Sequence, residues 1–132
     1  MSTIRVMILE GHPMVRVALT RVLEMYDDIE VVWEATSGEE ALVLCEHTAP
    51  DVVLMSLKLP GIDGPATIRA IKQHNPTVKV LVLTFFGEAE LLTRALQGGA
   101  CGYLFKDATS PELHEALQRV NAGQTVLPPA IS

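Results

Sequence analysis

The sequence predicts a single α/β domain in which short buried strands alternate with helices. Three observations support this prediction: a length of 132 residues, five short apolar runs along the chain, and a helical pattern after each run. One domain is the expected number at this length. Because parallel strands are joined by right-handed helical crossovers, the pattern predicts a doubly wound parallel sheet with helices on both faces.

Three of the predicted strands lie in the first half of the chain. Continuous apolar runs are typical of strands buried on both faces, and these runs occupy residues 4–9, 29–33 and 51–55. Pro13 suits the first turn of a helix, and apolar residues recur after it with helical spacing. Ser37, with Glu40 three residues later, predicts a capping box that opens a second helix, which extends through Glu46.

The second half of the chain contains the other two strands and three more helices. The strands are predicted at 78–83 and 102–105, and two of the helices at 65–73 and 88–97. Gly98 and Gly99 end the second of these helices, as glycine commonly does after a last helical turn. The last helix opens with Ser110 as its N-cap and Pro111 in its first turn, and Gly123 closes it.

The last residues of the sequence differ in composition from the rest. Pro128 and Pro129 disfavour a continued helix, because proline donates no backbone hydrogen bond and clashes with the preceding turn. Residues 1–123 are therefore expected to form the domain, and residues 124–132 to begin a linker.

The composition argues against several classes of partner. Ten Lys and Arg residues against 16 Asp and Glu give a formal net charge of −6, so the domain is a poor electrostatic match for nucleic acid or an anionic membrane. Cys45 and Cys101 have neither metal-ligand nor redox spacing, and we interpret both as buried, reduced thiols of a cytoplasmic protein. The apolar runs are too short to cross a membrane, and the first residues lack a signal-peptide layout.

Polar side chains follow the predicted strands at the edge of the sheet where open α/β folds bind ligands. Glu10 follows the first strand and Ser56 the third. Thr84 ends the fourth strand and Lys106 follows the fifth. One carboxylate, two hydroxyls and one ammonium group therefore converge on one small polar pocket.

Seven short stretches, spread over nearly the whole chain, carry a family resemblance. They read IRVMIL (4–9), HP (12–13), SGEEAL (37–42), PDVVLM (50–55), LPGIDG (59–64), VLVLT (80–84) and GYLFKD (102–107). Together they resemble the receiver domain of bacterial response regulators, particularly the NarL/FixJ (LuxR-type) family. The resemblance implies a flavodoxin/CheY-like five-stranded parallel sheet with strand order 2-1-3-4-5.

The resemblance also implies a chemistry, which is phosphoryl transfer from a histidine kinase to an aspartate at the end of the third strand. In the family that aspartate and a pair of acids after the first strand hold Mg²⁺, while a Thr or Ser and a Lys contact the phosphoryl group. Thr84 and Lys106 match those two contact positions, and Tyr103 matches the family's switch aromatic.

The acidic positions depart from the family pattern. Ser56 stands where the family has its acceptor aspartate, and Glu10 and Gly11 stand where it has paired acids. A serine hydroxyl cannot form the acyl phosphate that exchanges with phosphohistidine, and no activating base is evident. Mg²⁺ prefers octahedral oxygen ligands that usually include one or two carboxylates. Because only Glu10 remains of the three acids that the family provides, we expect weak or no Mg²⁺ binding, and no other cofactor.

One contact within the pocket and two further pocket residues are expected. Lys106 lacks the acidic partners that the family provides, so we expect a direct contact between Lys106 and Glu10. Phe85 is bulkier than the small residue common in the family, and we expect Phe85 and Lys58 to form part of the pocket wall.

The first helix has a wider apolar surface than one packed face requires. Met14 and Val17 lie outside its core stripe. In the resembled family the first and last helices form a dimerisation surface, so the candidate dimer face is Met14, Val17, Leu113 and Leu117. Most apolar positions of the last helix are nevertheless expected in the core, and Val17 is the residue expected to be exposed.

These observations predict the regulatory receiver domain of an atypical, phosphorylation-independent response regulator. We expect a homodimer whose own C-terminal helix-turn-helix domain, beyond residue 132, binds DNA and regulates transcription. Two alternatives stay open: a small-molecule sensor that uses the vacated pocket, and a stand-alone adaptor that binds proteins through the fourth-helix face. An enzyme is the weakest class, because the family's self-dephosphorylation depends on the missing acids.

Overall fold

The computed structural model describes residues 3–128, and within them five strands and five helices alternate. The strands are β1 (Ile4–Leu9), β2 (Ile29–Ala35), β3 (Val52–Ser56), β4 (Lys79–Thr84) and β5 (Gly102–Phe105). The helices are α1 (Pro13–Leu23), α2 (Gly38–His47), α3 (Gly64–His74), α4 (Ala89–Gln97) and α5 (Ser110–Asn121). The predicted α/β fold is confirmed.

The sheet is parallel throughout and has the order β2-β1-β3-β4-β5 that the resemblance implied. Successive side chains of a strand point to opposite faces, and in β1 Val6 belongs to one core cluster while Met7 belongs to the other. Side chains of α1 and α5 complete the first cluster, and those of α2, α3 and α4 complete the second. The helices thus cover both faces and leave the strand ends as the place for a site.

The apolar side chains of α5 face the sheet. Leu113, Leu117 and Val120 are buried at the spacing of one helix face. The prediction that Leu113 and Leu117 belong to a dimer face was therefore wrong, because α5 has a single apolar stripe and the sheet covers it. Met14 and Val17 of α1, by contrast, are exposed.

Local hydrogen bonds move one predicted helix start by a residue. The N-cap of α5 is Thr109, whose side chain accepts from the backbone N–H of Glu112, while the Glu112 carboxylate accepts from the Thr109 N–H. Both Thr109 and Ser110 suit an N-cap, but only Thr109 has a glutamate three residues later to complete a capping box. At α2, Ser37 is the predicted N-cap, but Glu40 accepts from the N–H of Thr36, not of Ser37.

The chain after α5 returns to the sheet. Val126, within the segment expected to begin a linker, forms an isolated parallel bridge with Gly102 and is buried. Residues 129–132, the last four of that segment, lie outside the described residues. No helix between residues 3 and 128 has the length and apolarity needed to cross a membrane.

Candidate functional site at the carboxyl edge of the sheet

The central feature of the site is the buried carboxylate of Glu10, directly after β1. Ser56, the last residue of the neighbouring strand β3, donates its hydroxyl to Glu10 Oε1. Lys106, directly after β5, places its Nζ 3.4 Å from the same oxygen. The predicted contact between Glu10 and Lys106 is therefore present, and it joins the loop after β1 to the loop after the edge strand β5.

One backbone group and one side chain at the start of α1 also bind Glu10. The His12 N–H donates to Glu10 Oε2 at 2.9 Å, and the Arg16 guanidinium donates to the Glu10 carbonyl at 2.8 Å. Both carboxylate oxygens therefore have protein partners, and the start of α1 is held against the pocket.

These contacts favour the ionised form of Glu10. Burial alone would raise the pKa of this carboxyl, because a charge is poorly solvated there. The hydrogen bonds from Ser56 and His12 and the positive charge of Lys106 outweigh burial and lower the pKa below its ordinary value of 4.5. The pocket thus contains a charged, internally neutralised ion pair at neutral pH.

The donor set of this pocket does not suit Mg²⁺. Glu10 is its one carboxylate, and the Lys106 ammonium lies 3.4 Å from Glu10 Oε1, where its positive charge opposes a bound cation. A second acid at Gly11 is sterically restricted, since a Cβ there would lie 3.0 Å from Pro60 Cδ. Among residues 3–128 no group of three or more His, Cys, Asp or Glu side chains is placed to hold a metal ion.

Thr84 lies at the same edge, but its hydroxyl binds a different carboxylate. Thr84 Oγ1 donates to Glu88 Oε1 at 2.8 Å, and the Phe85 N–H donates to the same oxygen at 3.0 Å. Lys58 is 4.0 Å from Glu88 Oε2 and its side chain is 77% exposed. Lys58 therefore flanks the loop before α4 and does not contact Glu10.

Sequence reasoning placed Glu88 only as the start of a helix and missed its second role. The signal available in the sequence was its position four residues after Thr84, within reach of a side chain in a tight loop. Its backbone is the N-cap of α4, yet its side chain makes no cap hydrogen bond. The carboxylate is instead turned back toward β4.

The aromatic residues at this edge of the sheet form two groups, one beside Lys106 and one in a groove between α4 and β5. The Phe85 ring lies 4.6 Å from Lys106 Nζ, a cation–π contact, and so forms the predicted pocket wall beside Lys106. Tyr103 packs edge-on against Phe105, with ring centroids 5.6 Å apart. Together with Phe86, these two rings line a groove of about 560 Å³ between α4 and β5.

A second groove lies between α1 and the pocket. It has a volume of about 410 Å³, and Phe85 and Lys106 are part of its lining. The rest of its lining is apolar and consists of Met14, Val15, Ala18, Leu19, Val22 and Leu83. On the outer side of α1, Met14 is 78% and Val17 49% exposed, so this helix has an apolar surface that the described residues do not cover.

Comparison of the sequence and the fold with known proteins points to one protein family. A family model for the response regulator receiver domain matches residues 6–118. Response regulator GacA of Pseudomonas viridiflava is 41% identical over 129 residues, which cover 98% of this chain and 60% of GacA. The chain thus spans about 60% of the length of the curated relatives that it matches.

Two solved structures extend this comparison. A LuxR-family two-component response regulator from Aurantimonas sp. SI85-9A1 has a TM-score of 0.90 at 34% identity, over 97% of this chain and 91% of that one. A structure of two RcsB dimers bound to two parallel DNAs has a TM-score of 0.86 at 25% identity, over 96% of this chain and 65% of that one.

Proposed function

The chain belongs to the family of response regulator receiver domains, and from that premise we propose that it regulates through protein contacts without phosphorylation of its own pocket. The supporting observation is the Glu10–Ser56–Lys106 cluster. Ser56 offers a hydroxyl at the end of β3, and that hydroxyl is already donated to Glu10. Lys106, the group that would stabilise an added phosphoryl, is paired within the protein.

The closed pocket explains why phosphorylation is not expected. A phosphoryl group on Ser56 would bring negative charge beside the ionised Glu10, and like charges this close repel strongly where water is scarce. The Lys106 ammonium beside that carboxylate also opposes the approach of Mg²⁺, which could otherwise relieve the repulsion. The pocket therefore acts as a structural centre in this proposal, and not as a reaction site.

The test is a proton–nitrogen NMR titration of the domain with Mg²⁺ and then beryllofluoride. We expect the amide signals of Glu10, Ser56 and Lys106 to stay in place. The matched control is Ser56→Asp, which restores a carboxylate at the end of β3 beside Glu10 and should gain saturable Mg²⁺ shifts. Saturable shifts in the unaltered domain that reach Tyr103 would overturn the proposal.

For the whole protein we propose a transcription regulator in which this domain controls a C-terminal DNA-binding domain. The support is that the chain covers only 60% of GacA, a longer response regulator, and that RcsB, a structural neighbour, binds DNA as dimers. In this arrangement the acidic receiver contacts no DNA itself, carries out no enzymatic reaction, and works as a homodimer in the cytoplasm.

The proposed dimer face is the exposed apolar surface of α1, at Met14 and Val17. Because burying an apolar side chain stabilises association, Val17→Lys should shift the domain toward monomer in sedimentation equilibrium. Val43→Lys is the matched control, since Val43 is comparably exposed, at 53%, on α2. Equal loss of dimer in both variants, or no loss in Val17→Lys, would contradict this face.

The apolar groove beside α1 favours a second candidate, a small-molecule sensor. A compound with an apolar body and one acidic group would place its body against α1 and its acid near Lys106. With octanoate as the probe, a dose-dependent rise in melting temperature is expected if the site binds, and Phe85→Ala should abolish it. An unchanged melting temperature at millimolar octanoate would count against this candidate.

A further inference from the structure

The segment after α5 docks on β5 through its backbone. The Tyr103 N–H donates to the Val126 carbonyl at 2.9 Å, and the Val126 N–H donates to the Cys101 carbonyl at 3.2 Å. The Val126 side chain is 5% exposed and belongs to the core cluster that contains Leu117 and Val120. Residues 124–128, which we call the strap, are thus fixed by two backbone hydrogen bonds and one buried side chain.

Gly102 permits this docking because it has no side chain. A Cβ at Gly102 would lie 2.1 Å from the carbonyl oxygen of Val126 and 2.8 Å from its carbonyl carbon and nitrogen. These are backbone atoms, so no rotamer change relieves the clash. Gly102 is not among the glycines with positive φ, so close approach of the strap, and not backbone strain, is what requires glycine here.

The strap starts from a defined turn at the end of α5. Gly123 has a φ of 89°, which suits glycine in a left-handed position. After it, the Gln124 N–H donates to the Arg119 carbonyl at 2.9 Å and the Arg119 side chain donates to Gln124 Oε1 at 3.0 Å. The direction in which the chain leaves α5 is therefore specified before Val126 reaches β5.

β5 connects the strap to the polar pocket. It has four residues, with the strap against its first two positions and Lys106 directly after its last. The Lys106 N–H donates to the Thr84 carbonyl at 2.9 Å, so the end of β5 is fixed to β4 beside Glu10. Leu127 and Pro128 of the strap also line the groove that contains Tyr103.

We propose that the strap is a latch that couples the Glu10–Lys106 pair to the path by which the chain leaves the domain. A displacement of β5 that moves Lys106 also strains the two strap hydrogen bonds, and release of the strap frees β5 to move. Coupling between two sites is reciprocal, so each should respond to a change at the other. This holds whether or not Ser56 accepts a phosphoryl group.

The first experiment measures amide hydrogen exchange in the full 132-residue chain carrying Gly102→Ala. The added Cβ should displace the strap, so the Tyr103 and Val126 amides should exchange about tenfold faster or more, while amides of β1 and β3 keep their protection. The Lys106 amide signal should also shift. Retained protection of Tyr103 and Val126 in the folded variant would overturn the latch.

A second variant keeps the test decisive if Gly102→Ala unfolds. Val126→Pro removes the N–H that donates to the Cys101 carbonyl and leaves Gly102 unchanged, and the Tyr103 amide should again lose protection. Protection of that amide equal to the unaltered chain would contradict the proposal.

The reciprocal test starts from the pocket. Lys106→Met should change the exchange rates of the Tyr103 and Val126 amides at least about threefold relative to the amides of β1 and β3, which report any general loss of stability, because the end of β5 loses its ion pair. Lys58→Met, which removes an exposed lysine from the same sheet edge, is the matched control and should leave both rates unchanged. If neither rate responds to Lys106→Met, the strap is only a structural closure, and the coupling is refuted.

Discussion

Two carboxylates at the same edge of the sheet have the same kinds of partners. Glu10 and Glu88 each accept one hydroxyl hydrogen bond and one backbone N–H, and each lies near one lysine. The lysines differ, since the side chain of Lys106 is 17% exposed and that of Lys58 is 77% exposed. The chemistry of the donors alone therefore does not decide what such a cluster does.

The two clusters also differ in the parts of the chain that they join. Glu10 is bound by Ser56 from 46 residues away and by Lys106 from 96 residues away. Glu88 takes its hydroxyl and backbone partners from within four residues. The first cluster cross-links three strands, whereas the second holds a loop, and the following predictions test that difference.

The largest expected difference is between the two lysines. Lys106→Met leaves a buried carboxylate without its cation, and we expect a loss of about 2–3 kcal/mol in the free energy of unfolding, reduced from the full buried-pair cost because Ser56 and His12 remain. Lys58→Met should cost less than about 0.5 kcal/mol, because exposed pairs are screened by water. Urea denaturation of both variants measures this, and equal losses would contradict the comparison.

A smaller effect is expected in the acid range. The pKa of Glu10 is lowered in the folded state, so its contribution to stability is fully present above the unfolded value, near 4.5, and is lost as pH falls through the folded pKa. Glu10→Gln removes this titration and should flatten the dependence of stability on pH below about 4.5. Its cost at pH 7 should be about 1–2 kcal/mol.

Urea denaturation of Glu10→Gln at pH 7 and at a series of lower pH values makes this measurement. A slope below pH 4.5 as steep as that of the unaltered domain would show that other carboxyls carry the acid dependence. Asp28 and Asp63 are the groups to examine in that case, because hydrogen bonds and nearby charges lower the pKa of each despite the opposing effect of burial.

The smallest expected effects come from the hydroxyls. Ser56→Ala removes one of the three partners of the Glu10 carboxylate and should cost about 1 kcal/mol, since a buried acceptor loses a charge-assisted donor. Thr84→Val should cost about 0.5 kcal/mol, because the loop before α4 can adjust around Glu88. Thermal or urea unfolding measures the loss of stability in each variant. A larger loss in Thr84→Val than in Ser56→Ala would contradict the view that the Glu10 cluster cross-links strands while the Glu88 cluster only holds a loop.

The fold was predictable because its strands are short, continuous and apolar. Parallel strands have to bring their carboxyl ends to one edge, so the contact between Glu10 and Lys106 followed from topology and from Glu10 being the one acid left at the family's acidic positions. By contrast, the contact between Thr84 and Glu88 depends on the path of one loop. No periodic pattern specifies a loop conformation, which is why Glu88 was missed.

Two other differences between the sequence-based predictions and the structure have their own physical causes. Leu113 and Leu117 were assigned to a dimer face because an apolar helix stripe looks the same whether a sheet or a second chain covers it. Val126 was placed in a linker because one bridged residue between polar and proline residues has no periodicity. Its docking depends on the space above Gly102, which is a property of the folded sheet and not of the local sequence.

The burial of Val126 has a practical consequence for chimaeric regulators built by exchanging receiver domains. A splice point chosen at the end of α5, after Gly123, would leave Val126 to the incoming module and would remove a side chain from beneath α5. The hybrid would then carry a hole in its interior that resembles a large-to-small core substitution, with a cost of about 1–3 kcal/mol. Junctions placed after Pro128 keep the receiver whole, and Gly102 should be exchanged together with its own Val126 as a matched pair.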